Sequence, residues 1–267
     1  MALCPSLIIW SSQGLKDGLI VFFLVLSILT VIQLQKKFNY PSFLLLMISL
    51  VGIISLRFYI FYMLVIAIVG CFAIGKPLNP ISVLRRAIVL LVIGLALSSV
   101  GANSERDLSK FNLEKLENTR SDLARGNAGY GRDLDVSTTE GALTALPLGF
   151  TYLMLAPFPW QMTNLRQAIT LPEMILWWIS IPFLIMGLIY TIKNRLRTSI
   201  AVLLFTLMLT VAYSLYQGNI GTAYRQRAQI QIFHFMFIAA GITLWLEKKE
   251  NKQIQKNSKR REIIRSL

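Results

Sequence analysis

Residues 172–216 read PEMILWWISIPFLIMGLIYTI, then KNRLR, then TSIAVLLFTLMLTVAYSLY, two apolar runs parted by a short cluster holding Lys193, Arg195 and Arg197. Each run is about 20 residues long, which at about 1.5 Å of rise per residue is what a helix needs to cross the hydrocarbon core of a bilayer. Cations are costly inside that core, so the cluster marks a turn at its edge and the runs form two crossings. The same grammar recurs along the chain. Residues 18–35, 41–56, 58–75, 87–103 and 230–246 are further apolar stretches, long enough or nearly long enough to cross. Only Arg57 separates the second and third of these, so that pair reads as a short hairpin or a partly re-entrant element. The fold class predicted is all-α, a polytopic transmembrane helix bundle of about seven crossings.

Composition agrees with this reading. Of 267 residues 55% are hydrophobic and 15% charged, and the mean hydropathy is +0.58, which excludes an ordinary soluble domain. The net charge of +14 raises nucleic acid as a partner, but the 27 basic residues fall mostly between the apolar runs. With the N-terminus outside, Lys36 and Lys37, then Lys76, Arg85 and Arg86, then Lys193, Arg195 and Arg197, and finally the tail from Lys248 to Arg265 all face the cytoplasm. That side then carries sixteen basic and three acidic residues, against eleven and ten outside. The excess is a topology signal, so no nucleic-acid partner is expected, and the C-terminus is predicted to be cytoplasmic. Cys4 and Cys71 lie too far apart in sequence to suggest a disulfide framework. No basic segment precedes the first apolar residues, which predicts no cleaved signal peptide and a mature chain beginning at Met1.

Four segments follow from this layout: four crossings in 1–103, an outer loop in 104–171, three crossings in 172–246 and a basic cytoplasmic tail in 247–267. In the loop, Ser104 and Asp107 resemble a capping box, and Leu108, Phe111, Leu113, Leu116 and Leu123 form a sparse apolar stripe before Gly126 and Asn127. The expectation is an amphipathic helix on the membrane surface, followed over 126–141 by an ordered turn or a mobile lid. A crossing through 142–160 would put half the basic clusters on the wrong side. Pro147, Pro157 and Pro159 also interrupt a helix there, so an interfacial or re-entrant segment is predicted, with Trp160 at headgroup level. The tail is expected to lie against anionic lipid.

The most informative motif is Gln217-Gly218-Asn219-Ile220-Gly221-Thr222-Ala223-Tyr224-Arg225-Gln226-Arg227, at the outer start of the last crossing. A helix beginning near Ala223 would place Tyr224, Arg227, Gln231 and His234 on one face. Guanidinium groups beside helix N-terminal amides suit a phosphate, through bidentate hydrogen bonds and the helix dipole. Arg225 and Arg227 are therefore candidate substrate-binding residues with Tyr224, against the plainer alternative of contacts to lipid headgroups. Lys16 and Arg57 join them at the outer mouth, where Asp17, Arg166 and Glu173 also fall. Lys16 pairing with Asp17, and Arg57 snorkelling to the interface, are the plainer alternatives there. His234, the only histidine, reads as a hydrogen-bonded bundle residue before a proton carrier. Asp133 and Asp135 have the spacing of a divalent-cation pair, but a solvated turn is the simpler account, so neither metal nor cofactor is expected. Asp17, Asp133, Asp135, Glu140 and Glu173 are the outward-facing carboxylates, and none is marked as a general base. The catalytic residue stays unknown at this level.

Several stretches taken together carry a resemblance. They are Pro5, Trp10-Ser11-Ser12 and Lys16-Asp17; Arg57 with Tyr59; Leu146-Pro147-Leu148-Gly149 leading to Ala156-Pro157-Phe158-Pro159-Trp160; and Gly218-Asn219-Ile220-Gly221-Thr222-Ala223-Tyr224-Arg225-Gln226-Arg227. Over roughly 5–246 the chain resembles the C-terminal half of uncharacterised polytopic bacterial membrane proteins of surface-polysaccharide assembly, relatives of membrane glycosyltransferases and O-antigen-type polymerases. The resemblance implies a plasma-membrane protein that takes a polyprenyl-diphosphate saccharide at its outer face, with Arg225, Arg227, Lys16 and Arg57 on the diphosphate. It implies polymerisation or glycosyl transfer, or a non-catalytic place as transporter component or accessory subunit beside other polysaccharide-assembly proteins. Such relatives have more crossings and an early outer-loop carboxylate, so a shortened member, a fragment or one half of a complex is expected.

Overall fold

The computed structural model describes residues 16–74, 113–126, 128–161 and 170–265. Among them the structure is helical, without a strand. The elements are α1 (Asp17–Lys36), α2 (Tyr40–Leu56), α3 (Phe58–Ile74), α4 (Leu113–Ala124), α5 (Thr139–Leu155), α6 (Leu171–Asn194), α7 (Leu196–Tyr216) and α8 (Ile220–Arg265), with one 3₁₀ turn at Pro159–Gln161. Four helices are long and apolar enough to cross a membrane: α1, α6, α7 and the Ile220–Ser258 part of α8. Tyr40–Leu56 and Phe58–Cys71 are apolar but shorter. The expected crossing at 87–103 and the capping box at Ser104 and Asp107 lie outside the described residues.

Local chemistry accounts for the boundaries. Asn39 starts α2, its side chain accepting a hydrogen bond from the Ser42 amide at 3.3 Å with Pro41 in the first turn. Thr138 does the same for α5 through the Gly141 amide at 3.1 Å. At Arg57 the backbone turns extended (φ −149°, ψ 100°), so α2 stops and α3 starts one residue later. That break turns the Arg57 side chain into the bundle.

On α1, Ile20, Leu24, Ile28 and Val31 are buried at helical spacing while Leu19, Phe22 and Leu29 are exposed. An amphipathic helix in water would be polar on that second face, so lipid is the environment that suits these helices. α1 packs on α2, α3 and α5 on α7, and α6 on α8. The α6–α8 pair runs parallel, because Arg227 meets Met174 near the starts and Gly241 meets Phe183 further on. Their backbones nearly touch. A Cβ on Gly187 would lie 1.8 Å from the Phe237 carbonyl oxygen, and one on Gly241 2.0 Å from that of Phe183. Small residues permit this approach, which replaces the hydrophobic drive that lipid does not supply.

Two elements differ from expectation. Pro147 does not interrupt α5, which runs through it to Leu155. Its ring points outward, and Ala145, Gly149 and Leu153 bury the opposite face, offsetting the one backbone hydrogen bond that proline forfeits. α5 nevertheless stays at one end of the bundle, with Gly149 against Ser214 and Met154 against Trp177. The tail is the second difference. α8 continues unbroken for 46 residues, roughly 70 Å, so the segment after Leu246 projects along the axis of the crossing. Lys248, Lys249, Lys252 and Lys256 are exposed on it.

Candidate functional site

Asp17 opens α1 and is only 3% exposed. A buried carboxylate needs cations and hydrogen bonds around it. Arg57 Nη2 donates to Asp17 Oδ1 at 2.9 Å, and Arg225 Nε donates to Asp17 Oδ2 from the second turn of α8. Gln229 Nε2 also donates to Oδ1, at 3.1 Å. The second Arg57 nitrogen, Nη1, reaches the Tyr59 hydroxyl at 2.6 Å and Gln226 Oε1 at 2.7 Å. The Tyr213 hydroxyl donates to Gln229 Oε1 at 2.6 Å and lies 3.4 Å from that of Tyr59. One polar network thus ties the start of α1, the α2–α3 break, the end of α7 and the start of α8. Among the described residues, two guanidiniums face this one carboxylate. Exposed Lys16 directly precedes it.

Of the five predicted binding residues, Arg57 and Arg225 meet, Lys16 flanks them, and Arg227 and Tyr224 stand apart. Arg227 is fully buried. Its Nη1 donates to the carbonyl oxygens of Met154 at 3.0 Å and Ala156 at 2.9 Å, with Leu153 at 3.5 Å, and its Nη2 lies 2.8 Å from Met174 Sδ. These carbonyls end α5, where the helix leaves acceptors unsatisfied and its dipole is negative. The guanidinium also lies 4.8 Å from the Tyr224 ring and 5.7 Å from that of Trp177. Arg227 therefore fastens α5 and α6 to α8. The face shared by Tyr224, Arg227, Gln231 and His234 is buried throughout. His234 packs 6.0 Å from Trp177, and its Nδ1 has no hydrogen-bond partner among the described residues.

The loop between α4 and α5 is tied down. Arg120 donates to the carbonyls of Leu134 and Gly131, each at 2.9 Å, and Glu117 accepts from the Val136 amide at 2.7 Å. Asp133 and Asp135 are exposed on it. Asp135 accepts from the Ser137 amide at 2.7 Å, and hydrogen bonding to Ser137 holds its carboxyl below the usual range, as in a solvated turn. Among the described residues no group of three metal-ligating side chains forms. Tyr130 N donates to Gly218 O at 2.8 Å and Ile220 N to Ala128 O at 2.9 Å, so the loop pairs with the glycine-rich α7–α8 junction. Arg166 lies outside the described residues, and Glu173 is buried at the start of α6.

No protein-family model, curated protein or solved structure matches the chain. The site therefore rests on its own chemistry. Tyr213, Gln226 and Gln229 are members that sequence reading missed, although Arg225, Gln226 and Gln229 already form a second polar stripe on α8, at spacings of one, three and four.

Proposed function

We propose that this membrane protein binds a lipid-linked, polyprenyl-diphosphate saccharide at the Asp17 end of its bundle, in surface-polysaccharide assembly at the plasma membrane. The observation that supports it is the convergence of Arg57 and Arg225, from two separate parts of the chain, on one buried carboxylate. Guanidinium forks match phosphate oxygens in geometry as well as charge. In this reading the Asp17 end faces outward, the basic turns at Lys36 and at Lys193 to Arg197 face the cytoplasm, and the crossings number about seven once 87–103 is counted.

Binding is favoured over glycosyl transfer. Transfer requires a general base free to take a proton from the acceptor hydroxyl. Asp17 is committed to Arg57, Arg225 and Gln229, which fits a positioning role for the two arginines. The reading is thus a saccharide-lipid binding component, with polymerase chemistry dependent on a carboxylate other than Asp17.

The test is binding of a short-chain polyprenyl diphosphate to the protein in nanodiscs. Arg57→Ala and Arg225→Ala are each expected to weaken binding by about tenfold or more, the loss of one charge-assisted hydrogen bond. Wild-type binding that neither substitution alters would reject the site, and no wild-type binding would reject the ligand.

A further inference from the structure

A second chemistry sits where the loop paired to the α7–α8 junction meets the end of α5. The Tyr130 and Tyr152 rings stack face to face, 4.1 Å between centroids and 3° from parallel. Phe158 meets Tyr152 edge-on at 5.7 Å, and Trp160 stacks on Phe158 at 5.0 Å and 14°. The ladder packs on Ala156 and Ile220, about one and a half turns of α8 before Arg225. Its last ring is open, because Trp160 is 77% exposed.

Buried polar atoms without partners among the described residues occur on the ladder, on Gln161 just after it and at the α7–α8 junction. The Tyr130 hydroxyl, on a residue only 5% exposed, has no hydrogen-bond partner among the described residues. Gln161 donates from Nε2 to the Tyr152 hydroxyl at 3.1 Å, but its buried Oε1 has no partner. Gln217, next to the Gly218 whose carbonyl holds Tyr130, is 1% exposed with neither amide atom partnered. Each such group costs stability that an apolar isostere would not. A polar ligand at this place would complete them.

We infer that the Tyr130–Tyr152–Phe158–Trp160 ladder, with Gln161 and Gln217, is a saccharide subsite. A pyranose ring presents an apolar C–H face to an aromatic platform and hydroxyls at its rim, so one sugar of a chain covers Trp160 while others run along the ladder and offer donors and acceptors toward the unpartnered hydroxyl and amides. An acyl chain offers no hydrogen bonds, and the cation beside Tyr130, Arg120, is already held on the carbonyls of Gly131 and Leu134. The inference rests on the proposed saccharide-lipid function and adds that the sugar is read apart from the diphosphate.

The experiment uses the whole chain in nanodiscs and a panel of soluble, phosphate-free tetrasaccharides of glucose, galactose, mannose and N-acetylglucosamine, with binding followed by saturation-transfer NMR. At least one is expected to bind, with affinity reduced about tenfold in Trp160→Ala, Tyr130→Phe and Gln217→Leu. Tyr130→Phe and Gln217→Leu are also expected to keep or raise Tm, since each removes an unsatisfied polar group. A packing role would lower Tm instead, and a bilayer-anchor role for Trp160 would leave Tyr130→Phe without effect. Failure of the whole panel, or affinity indifferent to the three substitutions, overturns the subsite. Polyprenyl diphosphate binding without sugar binding would leave the proposed function standing alone, and sugar binding without diphosphate binding would leave only the subsite.

Discussion

Arginine serves two purposes within three residues of α8, and burial separates them. Arg227 is fully buried on backbone carbonyls of α5, whereas the Arg225 side chain is 28% exposed and pairs with Asp17. Arg227→Met leaves the end of α5 unsatisfied and is expected to cost about 2–3 kcal/mol, and Arg227→Lys recovers little of it, because an ammonium lacks the planar fork that reaches two carbonyls and two rings. Thermal unfolding in detergent measures this. Equal Tm values for wild type and both variants would show that Arg227 does not fasten the helices. Arg225→Ala is expected to shift Tm less while losing the ligand, so the two arginines separate into a structural and a binding residue. Sequence alone could not make that division. Both arginines stand at the start of one crossing, and only the packing of α5 against α6 and α8 removes Arg227 from reach.

At the scale of elements, the crossing of α6 and α8 is the most demanding fit. Gly187 and Gly241 each lie against a carbonyl of the partner helix, so a side chain on either must push the helices apart. Gly241→Val is expected to destabilise by about 1–3 kcal/mol through overpacking, and Gly241→Ala by less, again read as Tm in detergent. A valine that leaves Tm unchanged would mean the helices are free to separate. The apolar runs at 172–192 and 198–216 predict α6 and α7 to within two residues at each end, since span length and flanking charge mark those boundaries. They carry no record of which helix each run packs against. α8 was less legible at its far end, because the polar residues after Leu246 break the apolar pattern without breaking the helix: Glu247 to Ser258 contain neither Gly nor Pro.

For the molecule as a whole, the consequential prediction is which end faces which side. The basic turns gather at one end of the bundle and the Asp17 network at the other, so Ser137 and Lys256 are expected on opposite sides of the membrane. Single cysteines at Ser137 and Lys256, in a chain with Cys4→Ser and Cys71→Ala, are to be labelled in intact cells with a membrane-impermeant maleimide. Ser137→Cys alone should react before permeabilisation, and the reverse pattern would invert the topology and detach the site from the outer face. What the sequence determined by itself was the solvent and the helices. Bilayer thickness and the cost of buried charge act on short windows, and those windows are written contiguously in the chain. The tertiary structure decided the sites. Asp17 and Arg225 are 208 residues apart, and Tyr130 meets the α7–α8 junction across the whole of α5, α6 and α7. Contacts of that kind depend on which helices pack, and helix packing in lipid is set by close backbone approach and paired polar groups rather than by any local periodicity.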